Sequence, residues 1–245
     1  MIETVATTGS TNADLIARLR AGEVVPDGYW LRAEMQTGGK GRSGRTWISP
    51  PGNLYASTVI NLAANDPPPQ TLALAMGLAV HEQVTESLMM RDHPHVMIKW
   101  PNDVLVRGAK VAGILLERCG DAIVAGMGIN IAFAPEIAGR ETACLSVLNM
   151  KYHANPDYAL TFLAPRVATA LARWRSEGLA PLLQRWSKAA LPVGSPLSVN
   201  TGDDQMLRGT FGGLDPTGAL LLGLANGATQ TIHAGEVSLI AEGTG

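Results

Sequence analysis

Apolar positions fall into two regimes along this chain. Up to about residue 190, helical spacing alternates with short β-rich runs; beyond it only short strand-like stretches remain. In ADLIARLRAG, Leu15, Ile16 and Leu19 recur at helical spacing behind Ser10, Thr11 and Asn12. The stretch 11–14 reads as a capping box, and Gly22 marks the helix end. Strands are expected over 29–35 and 54–61, then a long Ala- and Leu-rich buried helix over 71–90 with no internal proline. Four β-rich runs follow, 96–100, 104–106, 111–117 and 122–131, punctuated by Pro101–Asn102 and Gly120–Asp121. Two more helices are expected over 156–175 and 179–190, the second stopping before Pro192.

From 193 to 240 the stretches PLSV, MLRGTF, ALLLGL, TQTIH and VSLI are broken by Gly and Asp. They read as a small β-barrel of about five strands. The expected division is a domain over 1–190 and a barrel over 191–245, without internal repeats.

Composition narrows the picture. The 245 residues are 46% hydrophobic and 16% charged, ordinary for a globular enzyme of this size. Net charge is −2, and no run of five like charges forms a basic stripe, so nucleic acid is not an expected partner. Cys119 and Cys144 have no metal-ligand spacing, which suits a reducing compartment. The N-terminus carries Glu3 and no basic run before an apolar stretch, and the apolar run 72–80 is too short to span a bilayer. The expectation is a soluble, cytoplasmic protein without membrane association.

Four constellations carry candidate chemistry. The segment 36–53, QTGGKGRSGRTWISPPGN, holds five glycines, two prolines and the cations Lys40, Arg42 and Arg45, so it reads as a loop. Successive N–H groups in such turns bind anions, and arginine forks match phosphate oxygens; a solvated basic loop has the same composition. In IKWPNDVLV, Asn102 and Asp103 stand at a strand end beside Trp100, placed to contact a base edge, a cation or a metal ion, although Pro, Asn and Asp are also plain turn residues. Lys110 opens KVAGILLE with Gly113 three residues on: either a snorkelling lysine or a cation that neutralises two approaching anions. In GMGINI, glycines on alternate strand positions mean that a ligand or a helix packs closely on that face. His81, His93, His95, His153 and His233 show no metal spacing.

Taken in order, GSTN, QTxGKGRxGRxW, KWPND, KxAGILLE and GxGIN resemble the catalytic domain of biotin–protein ligases over residues 8 to 132, and FGGLDPTGALLL with HAGEVSL resembles that family's C-terminal barrel. The resemblance implies an α/β fold (α+β by stricter usage): a mixed, mostly antiparallel sheet flanked by helices, with a small SH3-like β-barrel after it. It implies activation of biotin by ATP with Mg2+, then transfer to a lysine of the biotin carboxyl carrier protein of a biotin-dependent carboxylase. By the same resemblance, Ser10, Thr11, Asn12, Gln36, Lys40, Gly41, Arg42, Lys110 and Gly113 match biotin-side positions. Arg42, Arg45, Trp47, Asn102, Asn130 and Lys110 match nucleotide-side positions. Lys110, Arg42 and Asp103 would be catalytic, with Asp103 also towards a metal.

Some features depart from the pattern. Lys40 stands where many members have arginine, and Pro216 and Ile240 where some have basic residues, although Glu236 is kept. The motifs begin near residue 9, so the expected form is the short one without a DNA-binding domain. Members pair through sheet edges, so a homodimer is one arrangement implied. Two rivals stay open here: a lipoyl or octanoyl transferase using Cys144 with Lys110, and a non-catalytic biotin-binding subunit.

Overall fold

The computed structural model describes residues 1–150, 155–202 and 206–240; His153 lies outside them. Chain order is β1 Ile2–Thr8, α1 Thr11–Arg20, β2 Trp30–Gln36, β3 Leu54–Asn61, α2 Leu72–Glu86, β4 Val96–Lys99, β5 Asp103–Val106, β6 Ala109–Cys119 and β7 Ala122–Ile129. A short α3 (Leu145–Leu148) precedes α4 (Pro156–Glu177) and α5 (Leu179–Ala189). Then come β8 Pro196–Asn200, β9 Met206–Leu214, β10 Leu220–Gly223, β11 Thr229–Ile232 and β12 Glu236–Leu239.

The first seven strands form one sheet in the order β1-β2-β3-β7-β6-β5-β4. Only β1 and β2 run parallel, and every other pair is antiparallel. The expected mixed, mostly antiparallel sheet is therefore present. Because side chains alternate across a strand, its two faces are readable in sequence. Trp30, Ile60, Ile123 and Ala125 join the main core under α2, α4 and α5. Their neighbours Leu31, Val59 and Val124 meet Leu15 of α1 on the opposite face. There α1 covers only part of the sheet. Beyond it, on the same face, the alternation brings up Tyr55, Ser57, Gly126 and Gly128, and the site forms over them.

Local chemistry accounts for the helix ends. Asn155 caps α4 by accepting from the Asp157 and Tyr158 N–H groups, with Pro156 in the first turn. Gly178, at φ 77°, separates α4 from α5, a conformation that favours glycine. The boundary between the two helices is thus a residue choice.

Several expectations need correction. Strand β1 escapes periodicity because it is an edge strand, half exposed along its length. The cap of α1 is Ser10, one residue before the expected box. Its Oγ accepts from the Ala13 N–H at 3.5 Å, and Asp14 instead accepts from the Thr8 hydroxyl at 2.5 Å. Helix α2 ends at Glu86, earlier than expected: the Ser87 hydroxyl donates to the Gln83 carbonyl at 2.8 Å, and a 3-10 turn over Met90–His95 accommodates Pro94.

The last five strands form an antiparallel sheet, β11-β10-β9-β8-β12, whose edge strands have no ladder between them among the described residues. It is not packed apart from the rest. Phe211 meets Trp186 edge to face at 6.3 Å, and the Trp100 indole donates to the Gly218 carbonyl at 3.1 Å. One apolar cluster runs through both sheets.

Candidate active site

A cavity of about 510 Å³ opens where α1, the 36–53 loop, the ends of β5 to β7, the 133–143 segment and β12 converge. Ser10, Thr11, Asn12, Gln36, Lys40, Gly41, Arg42, Arg45, Trp47, Asn102, Asp103, Lys110, Gly113 and Asn130 all line it. No histidine and neither cysteine does.

At its charged end, Asp103 opens β5 and is buried. Lys110 Nζ lies 2.5 Å from its Oδ1, and Lys99 Nζ 3.0 Å from its Oδ2. Lys99 also donates to the Val237 carbonyl of β12 at 2.7 Å. A bulge between β5 and β6 decides where Lys110 points: pairing slips between Val104 and Leu105, so Lys110 shares a face with Gly113 three residues later. A β-carbon on Gly113 would stand 3.2 Å from the Lys110 stem and from the Trp47 ring. Asn130 fixes the backbone here, donating its amide to the Lys110 and Ala143 carbonyls at 3.4 and 3.2 Å.

Burial alone would raise the Asp103 carboxyl; the charges of Lys110 and then Lys99 outweigh it and hold the group down at about 2. Burial lowers Lys110, opposed by Asp103 and reinforced by Lys99 and Arg140. A carboxylate bonded on both oxygens by ammonium groups does not fit a metal ligand. Among the described residues no group of three metal-binding side chains exists. Magnesium suits sites built from one or two carboxylates plus substrate phosphates, and the carboxylate here is taken.

The glycine-rich loop closes over this end. Arg42 Nη1 donates to Asn102 Oδ1 at 3.3 Å and Nη2 to the Gly235 carbonyl at 3.1 Å. Asn102 is itself held, its amide donating to the Ile114 carbonyl at 2.5 Å. Arg45 and Arg140 both pair with Glu236 at the start of β12. The C-terminal sheet is thus part of the wall, although Pro216 and Ile240 are not. Lys40 is exposed at the rim.

The alternate glycines of β7 admit side chains rather than a helix backbone. A β-carbon on Gly128 would lie 2.6 Å from the Trp47 ring, and one on Gly126 would overlap the Asn12 carbonyl oxygen. Trp47 in turn lies under Lys110, whose Nζ is 5.2 Å from the ring centroid, within cation–π range. At the uncharged end, Gln36 Oε1 accepts from the Thr11 N–H at 2.9 Å, and Thr11 Oγ1 lies 2.6 Å from Ser57 Oγ.

Sequence reasoning passed over Lys99, Ser57 and Arg140, all in the lining. Lys99 had a signal, a lysine inside an apolar strand end. Ser57 had a fainter one, a hydroxyl facing the same way as Tyr55 and Val59. Arg140 had none.

The chain matches the biotin/lipoate A/B protein ligase family over residues 10–133 and the biotin protein ligase C-terminal domain over 194–240. It is 36% identical to a biotin–acetyl-CoA-carboxylase ligase of Paracoccus denitrificans, across 95% of this chain and 98% of that protein. Identity to the Mycobacterium tuberculosis protein of the same name is 35%, across 96% and 88%. A biotin protein ligase from Aquifex aeolicus, solved in complex with biotin and ATP, superposes with a TM-score of 0.82 at 26% identity and 98% coverage of both chains. By motif order, sheet topology and these matches, the chain belongs to the biotin/lipoate protein ligase family.

Proposed function

We infer that this protein is an ATP-dependent biotin–protein ligase, which activates biotin as biotinyl-AMP and transfers it to a lysine of a biotin carboxyl carrier domain. The observation that carries the reading is the two-ended cavity: a neutral hydrogen-bonding end at Thr11 and Gln36, and a cationic end at Lys110, Lys99 and Arg42. Biotin has that polarity, a cyclic urea at one end and a carboxylate at the other. The carboxylase ligases among the relatives support the acceptor, and the Aquifex complex supports biotin and ATP as substrates.

In the first step a carboxylate oxygen of biotin attacks the α-phosphorus of ATP. A C–O–P bond forms, the α–β bond breaks and pyrophosphate leaves. In the second step the acceptor amine attacks the acyl carbon, loses a proton and displaces AMP. Neither step needs an enzyme nucleophile. Bringing carboxylate and triphosphate together means overcoming like-charge repulsion, so cations and positioning supply the catalysis. Lys110, carried on the β6 bulge, reaches both anions in this reading. Arg42, held by Asn102, faces the phosphates. Asp103 holds both lysines in place, and Trp47 supplies a flat apolar wall for adenine, with Arg45 and Asn130 near it. Ser10, Asn12, Lys40, Gly41 and Gly113 complete the biotin side.

Cys144 is buried and outside the cavity lining, which disfavours a cysteine-dependent acyl transfer. Among the described residues no helix is long and apolar enough to cross a membrane. The test is ATP–pyrophosphate exchange by the purified chain with biotin, lipoate and octanoate in parallel. Exchange with biotin alone is expected; exchange only with lipoate or octanoate would move the substrate, and no exchange would leave a binding subunit.

A further inference from the structure

Glu117 closes the KVAGILLE stretch, on β6 opposite Val124, and does not itself line the cavity, yet its carboxylate reaches under the neutral end. Its Oε2 accepts from Asn12 Nδ2 at 2.8 Å, and the same nitrogen lies 3.5 Å from the Leu115 carbonyl. The other end of Asn12 accepts from the Ser57 hydroxyl at 2.6 Å, and Ser57 Oγ lies 2.6 Å from Thr11 Oγ1. Thr11, Asn12 and Ser57 are all buried. Gly126 leaves the space that the Asn12 amide occupies.

Proton counting gives this chain a direction. A carboxylate and a carbonyl oxygen only accept, so the end of Asn12 facing Glu117 and Leu115 is its NH2 group. Its carbonyl therefore faces Ser57, which gives its single hydroxyl hydrogen there. Towards Thr11, Ser57 then only accepts, and Thr11 gives its own single hydrogen to Ser57 at 2.6 Å rather than to Gln36 Oε1 at 3.2 Å, since two hydroxyl oxygens so close need a hydrogen between them. The Thr11 oxygen is left as an acceptor at the cavity. Gln36 is oriented independently: Ser49 donates to the Trp47 carbonyl at 2.8 Å, so it accepts from Gln36 Nε2 at 3.1 Å.

We propose that Glu117 is a positioning residue for substrate binding: it sets the direction of the Asn12–Ser57–Thr11 hydrogen-bond chain, so that Thr11 Oγ1 accepts an N–H of the cyclic urea. The proposal rests on the biotin reading above. A carboxylate with a merely incidental bond would leave ligand affinity untouched. Reversing the chain would fill one Thr11 lone pair with the Ser57 hydrogen and turn the Thr11 hydrogen towards Gln36 Oε1, 3.2 Å away, leaving Thr11 a poorer acceptor for a ligand N–H.

The experiment is steady-state ATP–pyrophosphate exchange with the full chain, varying biotin and ATP separately. In Glu117→Lys the new side chain only donates, which turns the Asn12 amide and reverses every bond behind it. The expected result is a KM for biotin raised about 30-fold, with kcat and the KM for ATP within about twofold, as lost ground-state binding requires. Glu117→Gln, which can accept or donate, should raise it about threefold. On a Thr11→Val background, where the final acceptor is gone, Glu117→Lys should add less than about threefold. If Glu117→Lys does not fold, Glu117→Met carries the same comparison, with a rise of about tenfold. An unchanged KM for biotin, an equal rise on both backgrounds, or a parallel loss of kcat and both KM values would overturn the proposal while leaving the ligase reading standing. Absence of biotin-dependent exchange in the wild-type chain would instead overturn the ligase reading and this proposal with it.

Discussion

Lys110 Nζ lies 2.5 Å from Asp103 Oδ1 because a bulge turns the lysine onto the face that Gly113 leaves open. The pair is buried, with Lys99 on the other carboxylate oxygen. Removing the acid leaves two ammonium groups without their counter-charge. Asp103→Ala should therefore cost about 3–5 kcal/mol in a denaturant melt, the cost of breaking a buried ion pair from one side. Lys110→Met keeps the Lys99 partner, so it should spare stability and lower the exchange rate about a thousandfold, as for loss of a key electrostatic group.

The same cluster sets two pH responses. The Asp103 carboxyl is held below its ordinary value, at about 2, so its contribution to stability is complete above the usual carboxylate range. That contribution drains away as pH falls towards 2. Lys110 is lowered from the ordinary lysine value. A rate that needs its ammonium should fall on the alkaline side at a lower pH than a free lysine would give. A pH–kcat profile of the exchange reaction checks this, and an alkaline limb at the ordinary lysine value would contradict it.

Gly128 matters through Trp47. A methyl group there would meet the indole at 2.6 Å. Trp47 belongs to the 36–53 loop and to neither apolar core cluster, so Gly128→Ala should leave the melting temperature nearly unchanged. It should also displace the adenine wall and raise the KM for ATP about tenfold, a loss of binding rather than of chemistry. Exchange kinetics at saturating biotin measure it.

Glu236 ties two arginines of separate loops to the C-terminal sheet. All three side chains keep substantial solvent contact, and exposed pairs are worth about 0–1 kcal/mol. Glu236→Gln should thus barely alter global stability but free the loop. Trypsin cleavage after Arg42 and Arg45 should accelerate about fivefold, reflecting local opening. Added biotin and ATP should protect both this variant and the unaltered chain.

Cys144 is a small core residue: its Sγ lies 3.5 Å from Ser146 Oγ, and its side chain is buried away from the cavity. Cys144→Ser should cost about 1 kcal/mol at most and keep exchange within about twofold, as a near-isosteric change at a buried site does. Loss of exchange in a folded variant would restore the acyltransferase reading.

Much of this protein was legible before any coordinates. Two-residue alternation and helical spacing located the strands and helices after β1 apart from the one-turn α3, since each is a local property of the chain. The residues picked out in the motifs all converge on one cavity, because each motif also states a backbone need: a strand end at Asp103, glycines where side chains approach, a loop that must turn at Gly44. Where local signals conflicted or were thin, reading failed. A half-exposed edge strand carries few apolar positions, and the cap moved from Thr11 to Ser10 because Thr8 had already engaged Asp14.

By itself, then, the sequence determined the element types, the motif residues and, through their order, the family. Tertiary structure alone decided who meets whom. Asn12 and Glu117 are 105 positions apart, and Arg45 and Glu236 are 191 apart. Asp103 gains its second lysine, and β7's glycines their partners Trp47 and Asn12, only once the order β3-β7-β6-β5-β4 is laid down. Such contacts depend on strand order and on a one-residue bulge. Neither leaves a periodic trace, because periodicity records which face a residue takes and not what stands opposite it.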